Sequence, residues 1–439
     1  MTHNSTSASN SHTAPSKKLS LFQAIFITIN IMLGTGVFVN TVMLAKTVGT
    51  LGGLLYLAAG LLMLPFSLCF AQLTTLLPVS NFYTFGAIIH RYFGFISTWI
   101  YFIGKLASAA LSIHVFISFL QKTIPVLAFF SPILLDCIVI SFFVGTNLLD
   151  IKTGSKIQYL FLTTKLVPVL FAIFTGLHYV NYIHVTTPHQ IWSGVPVAFP
   201  MILFCFLGFE ASCSLSHVIH NPAKNLSRTI LISFFFVLIS IVLYQTIFYA
   251  SLGSELAQQT AFTNAFPLLL SHIKFLPTAL SSELLSPLIS IAIGTAALGG
   301  AYGILYSNPW NLYTLAELHF LPQSQKFLRL NAYSIPALCV ITEGLICMSY
   351  VYFSQGQQIP LQYTAVLACI FTYTISSMGL FILKRSLLSI LCLISACIAL
   401  GCSLHGFLKT SLTPLIVLGG ILVAGTLLYL VKHKIRHQN

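Results

Sequence analysis

Long apolar runs recur along the whole chain, and they constrain its fold more than any other feature. The sequence has 439 residues, of which 57% are hydrophobic and only 6% are charged. Soluble globular proteins have about a quarter of their residues charged. A helix of about 20 apolar residues crosses the hydrocarbon core of a bilayer. The composition therefore excludes a soluble enzyme, a disordered scaffold and a collagen-like fibre, and it predicts an all-α polytopic membrane protein.

By this length rule the sequence predicts twelve membrane spans. Residues 1–18 are rich in Ser, Thr, Asn and His, and we expect a disordered cytoplasmic tail there. This tail is not a signal peptide, because no basic segment leads directly into a cleavable apolar region. The predicted spans are 19–46, 52–76, 95–120, 132–149, 157–178, 195–216, 229–251, 285–307, 335–354, 362–383, 386–406 and 412–431.

Lys and Arg residues are distributed unequally between the two sides of the predicted membrane. With the N-terminus inside, fourteen lie on the cytoplasmic side, including those of a basic tail at 432–439. Cytoplasmic loops of membrane proteins carry an excess of basic residues. We therefore expect both termini in the cytoplasm, in a cell inner or plasma membrane, and no nucleic-acid partner despite the net charge of +13. The four basic residues then placed outside are Lys46, Lys122, Lys274 and Lys409.

The ten cysteines and seven acidic residues give no sign of a metal or cofactor site. The cysteines lie within apolar runs, form no CxxC pair, and are predicted to be small apolar packing residues. Seven acids along so long a chain do not readily form a catalytic carboxylate cluster, and no Walker A motif is present. We therefore expect no enzymatic activity, no cofactor and no metal.

Two predicted spans carry glycines that weaken a continuous helix. Gly34 and Gly36 lie about fifteen residues into the first span, and Gly208 precedes Glu210 in the sixth. Backbone that opens inside a membrane must bond to protein, water or ligand. The spacing of two does not match the GxxxG packing motif, so the first span is predicted to break. For the sixth span, breakage and close packing remain alternatives.

Glycine-interrupted helices at corresponding places in two halves indicate a substrate site of a secondary transporter. The N–H groups near Thr35 and Gly36 would begin a second half-helix and could bind a carboxylate. The carbonyl groups near Ile31 and Met32 could bind an ammonium group. The backbone alone thus fits an α-amino acid zwitterion. The candidate substrate-binding residues are Ile31, Met32, Gly34, Thr35, Gly36, Lys105, Phe204, Cys205, Phe206, Gly208 and Tyr302.

Two lysines and one acid lie deep inside predicted spans. Lys105 and Lys165 are nine or ten residues into theirs, about 15 Å from one end, where an ionisable residue is a functional candidate. Lys105 either faces the pocket, where it repels a cationic substrate, or pairs with Glu210 or a carbonyl. Glu210 could neutralise a lysine, cap helix-1 amides or exchange a proton. Lys165 and Glu210 are the candidates for coupling and gating.

The residues around the breaks resemble those of the amino acid–polyamine–organocation (APC) permeases. The segment Asn30–Phe38 is similar to the glycine-rich break in the first helix of that family. The segment Phe204–Glu210, followed by Asn221-Pro222-Ala223-Lys224-Asn225, is similar to its sixth helix and the loop after it. The resemblance runs from about residue 19 to residue 385.

This resemblance implies a LeuT-like fold with broken helices 1 and 6. Its ten-helix core would occupy 19–385, as inverted five-helix repeats at about 19–178 and 195–383. Helices 11 and 12 would follow at 386–431. The resemblance also aligns Lys165 with a helix-5 lysine whose ammonium takes the place of a sodium ion. Lys165 either carries a proton, is a fixed cation bonded to helix-1 carbonyls, or faces the lipid without a function.

The resemblance further implies a secondary active transporter that moves an amino acid by sodium-independent alternating access. It would act as a symporter with protons or as an antiporter with a counter-substrate, in contact with the lipid bilayer. We expect a neutral substrate, because Lys105 would repel a cation and no free acid would offset it. The alternative is a cationic amino acid or polyamine exchanger. A sensor or channel would be a different class, but there is no sensor domain, the longest loop being about 252–284, and no TVGYG-like filter.

Overall fold

The apolar runs form helices in the computed structural model, which describes residues 18–77, 79–180, 191–272 and 285–438, without the side chains after 432. A helix bonds its backbone groups within one segment, as an apolar environment requires. Within these ranges there is no β-strand, and extended pairing is limited to isolated bridges at Leu19–Ile219 and Leu330–Pro336. The predicted all-α class is confirmed.

Nineteen α-helices, numbered here in chain order, cover most of the described residues, and short 3-10 turns lie at 125–129, 192–194, 216–218 and 262–264. The helices are α1 Leu21–Met32, α2 Gly36–Val48, α3 Leu51–Leu76, α4 Phe82–Ala87, α5 Arg91–Thr123, α6 Pro132–Asn147, α7 Ile151–His178, α8 Val195–Phe204, α9 Ala211–Ser214, α10 Pro222–Leu252, α11 Ser254–Gln258, α12 Ala265–Ser271, α13 Ser286–Ser307, α14 Pro309–Glu317, α15 Ser324–Phe327, α16 Ala337–Ser354, α17 Gln358–Leu383, α18 Leu387–Thr410 and α19 Thr413–Gln438.

Ten helical segments of the described chain are long and apolar enough to cross a membrane. They overlap ten of the predicted spans. The spans predicted at 132–149 and 195–216 coincide instead with the shorter apolar helices α6 and α8, of 16 and 10 residues. A total of twelve crossings, the inverted repeat, the division of the core at 385 and the cytoplasmic position of both termini stay predictions.

Some sequence predictions concern residues outside the described ranges. They include the N-terminal tail up to residue 17 and Lys274. The second part of the predicted long loop, from residue 273 onwards, also lies outside them, as do the side chains of the basic tail after residue 432.

Some helices begin earlier than hydropathy predicts, because polar residues and proline favour a helix start. α7 begins at Ile151 rather than 157, since the Asp150 carboxylate accepts bonds from the N–H groups of Lys152 and Thr153 at 2.8 and 3.0 Å. α10 begins at Pro222 rather than 229, where the missing N–H of proline costs no helical bond. Apolar runs therefore located these helices but underestimated their length.

Helix α5 lies at the centre of the packing and carries Lys105. It packs extensively against α13 and α17. Gly104 approaches α17 so closely that a Cβ at this position would overlap the Ala368 methyl group. Small residues let membrane helices approach backbone to backbone. This close contact holds Lys105 at a defined position inside the bundle, where 2% of its surface is exposed.

Candidate functional site

Both predicted helix interruptions are present. α1 ends at Met32 and α2 begins at Gly36, while α8 ends at Phe204 and α9 begins at Ala211. The residues between form turns rather than α-helix. The first N–H groups of a helix and its last carbonyl groups have no partner within that helix. At the second break the carbonyls of Ile202, Leu203 and Phe204 accept hydrogen bonds from the turn that follows, so the first break is the one that leaves backbone groups available inside the bundle.

Gly36 lets the two breaks come into contact. A Cβ at this position would lie 2.7 Å from Cys205 Sγ and 2.8 Å from Phe204 Cδ1, distances that real Cβ atoms do not show. The Phe204 and Cys205 side chains thus lie directly against the start of α2. They are buried, with 6% and 1% of their surfaces exposed. In this arrangement they cover the N-terminal end of α2.

Gly208 makes the matching contact from the second break. Its φ of +128° lies in a region that L side chains rarely adopt. A Cβ there would also lie 2.8 Å from Ile31 Cγ2 and 3.1 Å from the Met32 nitrogen. The turn after α8 therefore packs on the end of α1. The residues that these contacts bring together are Ile31, Met32, Gly36, Phe204, Cys205 and Gly208.

The link between α1 and α2 is held by two neighbouring helices. The Thr35 hydroxyl donates a hydrogen bond to the Ser112 hydroxyl of α5, and Ser112 donates to the Ser108 carbonyl at 2.8 Å. On α13, a Cβ at Gly300 would lie 3.3 Å from the Gly34 Cα. The link thus lies between α5 and α13.

Two of the predicted binding residues take part in aromatic packing. The Phe206 ring centroid lies 6.4 Å from that of Tyr56 and 6.0 Å from that of Phe234. The Tyr302 centroid lies 5.1 Å from that of Phe143. These contacts direct Phe206 toward α3 and α10, and Tyr302 toward α6.

The Glu210 carboxylate lies at the end of the second break and accepts three hydrogen bonds. Its Oε1 accepts from the Tyr101 hydroxyl at 2.8 Å and from Lys105 Nζ at 3.1 Å. Its Oε2 accepts from the Gly208 N–H at 2.8 Å. Glu210 therefore bonds an N–H group of the unwound segment and joins that segment to α5. Of the alternatives that the sequence left open for Lys105, the structure shows the pair with Glu210.

This ion pair offsets the cost of burying the two charges inside the bundle. Glu210 is fully buried and Lys105 nearly so. An isolated ion in an apolar interior carries a large desolvation cost, which an oppositely charged partner and further hydrogen bonds offset. The pair adds no net charge to the space around the breaks.

Lys165 of α7 binds the carbonyl end of α1. Its Nζ donates to the Asn30 carbonyl at 2.6 Å, and the lysine is fully buried. The Asn30 side chain donates to the Gly299 carbonyl at 2.9 Å and to the Gln158 side chain. The C-terminal end of a helix carries partial negative charge, which favours a cation. Lys165 thus makes the helix-1 carbonyl contact that the fixed-cation interpretation requires, and it does not face the lipid.

A polar network that the sequence reasoning missed lies beside α2. Asn40 Nδ2 donates to the Met201 carbonyl of α8 at 2.8 Å. Its Oδ1 accepts from Gln358 at 3.1 Å and from Gln362 at 3.0 Å, both on α17. These bonds join α2, α8 and α17. The signal that could have found them is an amide side chain inside an apolar run, as at Asn40 and Gln362.

On the side of the breaks away from the Asn40 network, backbone hydrogen bonds join the chain before α1 to the chain after α9. The Leu19 N–H donates to the Val218 carbonyl at 2.7 Å, and the His220 N–H donates to the Leu19 carbonyl at 2.9 Å. These bonds connect the residues before α1 with those after α9. The two breaks are therefore enclosed between this pairing and the Asn40 network.

The site offers backbone groups rather than metal ligands. Within the described ranges, no three His, Cys, Asp or Glu side chains are grouped as a metal ion would require. The start of α2 suits an anionic group and the end of α1 suits a cationic one. A small molecule that carries both groups would match these two helix ends.

Comparisons with known proteins show which family the sequence is similar to. A sequence model of a family described as amino acid permease matches residues 19–430. The chain is 28% identical over 257 residues to the branched-chain amino acid permease BcaP of Bacillus subtilis (strain 168), covering 53% of each protein. It is 24% identical over 272 residues to the b(0,+)-type amino acid transporter 1 of Mus musculus, covering 58% of this chain and 55% of that protein. The chain thus spans about half the length of the curated relatives it matches.

Removing one member of the Lys105–Glu210 pair should destabilise the fold more than removing both. Glu210→Gln leaves the Lys105 ammonium buried without its counter-charge, a change that generally costs about 3–5 kcal/mol. Lys105→Met combined with Glu210→Gln removes both charges and should recover a large part of that loss. Thermal unfolding of the purified protein in detergent measures the difference. Equal melting temperatures for the single and double variants would contradict the assignment, and Lys409→Met at an exposed helix end is the control.

Alanine at Gly36 or Gly208 should destabilise the protein. The added methyl group clashes with Cys205 and Phe204 in the first case and with Ile31 in the second, where the backbone also disfavours an L residue. Overpacking of this kind costs about 1–3 kcal/mol. Gly401→Ala is the matched control, since a Cβ there meets no atom within 4 Å and alanine favours helix by about 1 kcal/mol. Melting temperatures that fall equally in all three variants would show that the contacts at the breaks are not the cause.

Proposed function

The chain belongs to the amino acid permease family, and from this premise we propose that it moves an amino acid across the membrane by alternating access. The observation that carries the proposal is the contact between the two helix breaks. The ends of the four helices that flank the breaks lie together at one enclosed site inside the bundle. If the Asn40 network and the Leu19–Val218 pairing opened in turn, the enclosed site would be exposed first to one side of the membrane and then to the other.

We assign the backbone of the first break to the amino and carboxyl groups of the substrate. The carboxylate binds the N–H groups at the start of α2, near Thr35 and Gly36, where the helix dipole favours an anion. The ammonium binds carbonyl groups at the end of α1, near Ile31 and Met32. Every α-amino acid carries these two groups, so this part of the site would not distinguish one α-amino acid from another.

Substrate entry requires Phe204 and Cys205 to move, because both side chains cover Gly36. Phe204 is the last residue of α8, and Cys205 is the residue after it. α8 is joined to α2 by the hydrogen bond from the Asn40 side chain to the Met201 carbonyl. Loosening of the Asn40 network would let α8 move from α2 and uncover the N–H groups. Separation of Leu19 from Val218 would open the opposite flank. We propose that these two sets of bonds break in alternation.

We propose a neutral side chain on the substrate. Glu210 is the acidic residue at the breaks, and its carboxylate already accepts bonds from Tyr101, Lys105 and Gly208. A cationic side chain would therefore enter without a carboxylate to pair with, at a cost that depends on its desolvation. The residues packed at the breaks include the apolar Ile31 and Met32. One relative is named as a branched-chain amino acid permease, which agrees with an apolar substrate.

We propose that transport does not depend on sodium. The Lys165 ammonium occupies the carbonyl end of α1 through its bond to Asn30. A cation site at the Asn30 carbonyl is therefore already filled by a group of the protein, so a sodium ion is not needed there. The carbonyls near Ile31 and Met32, which we assign to the substrate ammonium, are separate from this contact. The driving force would then come from protons or from a counter-substrate.

Neutral amino acids should compete best for uptake. The test is uptake of labelled leucine into proteoliposomes with each common amino acid as competitor. Arginine and agmatine should compete about tenfold more weakly than isoleucine or valine, a factor that corresponds to about 1.4 kcal/mol. Competition by arginine or agmatine alone would overturn the neutral assignment in favour of a cationic amino acid or polyamine exchanger. Absence of uptake when each common amino acid is labelled in turn would overturn transport itself.

Replacement of sodium by choline should leave the rate of uptake unchanged, because Lys165 supplies the cation at α1. Lys165→Met should abolish uptake while the protein still elutes as a single folded species. Lys156→Met is the matched control, since Lys156 lies on the same helix with an exposed side chain. A rate that collapses in choline, or a Lys165→Met rate equal to that of the control, would refute the assignment.

A further inference from the structure

Glu343 of α16 is a buried acid that lies away from the two helix breaks. None of its surface is exposed, and neither carboxyl oxygen has a hydrogen-bond partner among the described residues. Glu210 is equally buried, but its carboxylate accepts three hydrogen bonds and pairs with the Lys105 ammonium. Two buried acids of one bundle are thus accommodated in different ways, and the difference needs a physical reason.

The Glu343 side chain points into the bundle and not toward the lipid. α16 is one of the membrane-crossing segments. Its buried residues include Cys339, Glu343 and Cys347, which follow one another at intervals of four, whereas Ile341 and Leu345 between them are exposed. Residues four apart share one face of a helix. An ionisable residue on the inner face of a membrane-crossing helix is a functional candidate.

The basic residues near α16 are already used or lie elsewhere. Its main neighbours are α5, α6, α13, α14, α15 and α17, and of these only α5 and α15 carry basic residues. On α5, Lys105 pairs with Glu210 and the His114 ring bonds the Asp136 carboxylate of α6 at 2.7 Å. The others are Arg91 and Lys122 near the two ends of α5, and the exposed Lys326 of α15. Glu343 forms no ion pair with any described side chain.

The titratable groups around Glu343 are thiols, phenols and other acids, none of which supplies a positive charge. Those that face it, or that lie next to the groups facing it, are Cys339, Cys347, Asp136, Cys137, Tyr313 and Glu317. An ionised carboxylate buried without a donor or a counter-charge is strongly unfavourable, whereas a protonated carboxyl group is neutral. The Glu343 side chain therefore holds a proton in this conformation.

A chain of polar side chains connects the surroundings of Glu343 with the second break. The Asn308 side chain lies beside the carboxyl group but makes no hydrogen bond with it, and its Nδ2 donates instead to the Phe102 carbonyl at 2.9 Å. Asn311 donates to Asn308 Oδ1 and to the Ser214 hydroxyl of α9, both at 2.9 Å. A movement of α9 would therefore displace the amide group that lies next to Glu343.

We propose that Glu343 binds the proton that is transported together with the amino acid. The proton enters from the side of higher proton concentration and forms the O–H bond of the carboxyl group. That bond breaks when α9 moves and the Asn308 amide turns to donate to the carboxylate, and the proton leaves to the opposite side. One positive charge thus crosses with each zwitterion. This inference rests on the proposed function, and it chooses protons over a counter-substrate as the driving force.

The test measures two kinds of transport by the full chain in proteoliposomes. Accumulation is followed in vesicles without internal amino acid, under an inward gradient of about one pH unit, with the membrane potential held near zero by valinomycin and equal potassium. Exchange is followed at equal pH in vesicles preloaded with unlabelled leucine. Wild-type protein should accumulate labelled leucine about tenfold, the ratio that one proton per substrate supports. Pyranine inside the vesicles should report acidification when leucine is added.

Glu343→Gln should separate accumulation from exchange. Glutamine keeps the shape of the protonated carboxyl group but has no proton to release. The accumulation ratio should therefore fall to about one and the acidification should disappear, while exchange, which needs no release of the proton, continues. Glu255→Gln is the matched control, because it is the same substitution at an acid with 55% of its side chain exposed. The control should accumulate leucine as the wild type does.

Glu343→Met is the second variant, used if the glutamine variant does not fold. It leaves no polar atom unpaired at this position, a replacement that is close to neutral for stability, and the same separation is expected. Wild-type accumulation in a Glu343 variant, or loss of accumulation and exchange together, would overturn the proposal. Failure of both variants to fold would also overturn it, since neither changes the charge of a protonated carboxyl group. Wild-type exchange without acidification would overturn the proton site and leave amino acid transport standing.

Discussion

A backbone N–H group that a helix releases inside a membrane must find a partner, and at Gly208 that partner is the Glu210 carboxylate. The carboxylate in turn is charged and buried, so it needs its own counter-charge. Lys105 and Tyr101 of α5 supply that charge and a further hydrogen bond. The unwound segment, the acid and the lysine thus form one unit. In it, the cost of burying each polar or charged group is offset by its bonds to the others. The enclosed site at the two breaks depends on this unit.

Helix α5 is bonded to both helix breaks. It bonds the second break through Lys105 and Tyr101, and it bonds the first break through Ser112 and Thr35. The opposite side of the first break is fixed by Lys165 at the end of α1. A displacement of α5 would therefore change both breaks at once.

Hydropathy and glycine positions predicted a large part of the fold. Apolar runs located the helices, because a membrane helix needs about 20 apolar residues. Gly34, Gly36 and Gly208 marked the interruptions, since glycine weakens a helix and permits a φ of +128°. Helix boundaries at Ile151 and Pro222 were missed, because caps rather than hydropathy decide where a helix begins. Depth within the spans also identified Lys105 and Lys165 as unusual residues.

The sequence by itself determined which residues are polar, charged or helix-weakening and roughly how deep they lie along each span. It did not determine what those residues contact. Lys105 could face a pocket or Glu210, and only the rotation of α5 against the second break decided between them. The same holds for Asn40, whose partners on α17 are more than 300 positions away. Depth follows from the local count of residues along one helix, whereas rotation about the helix axis follows from packing between helices that are distant in sequence. That packing exists only in the tertiary structure.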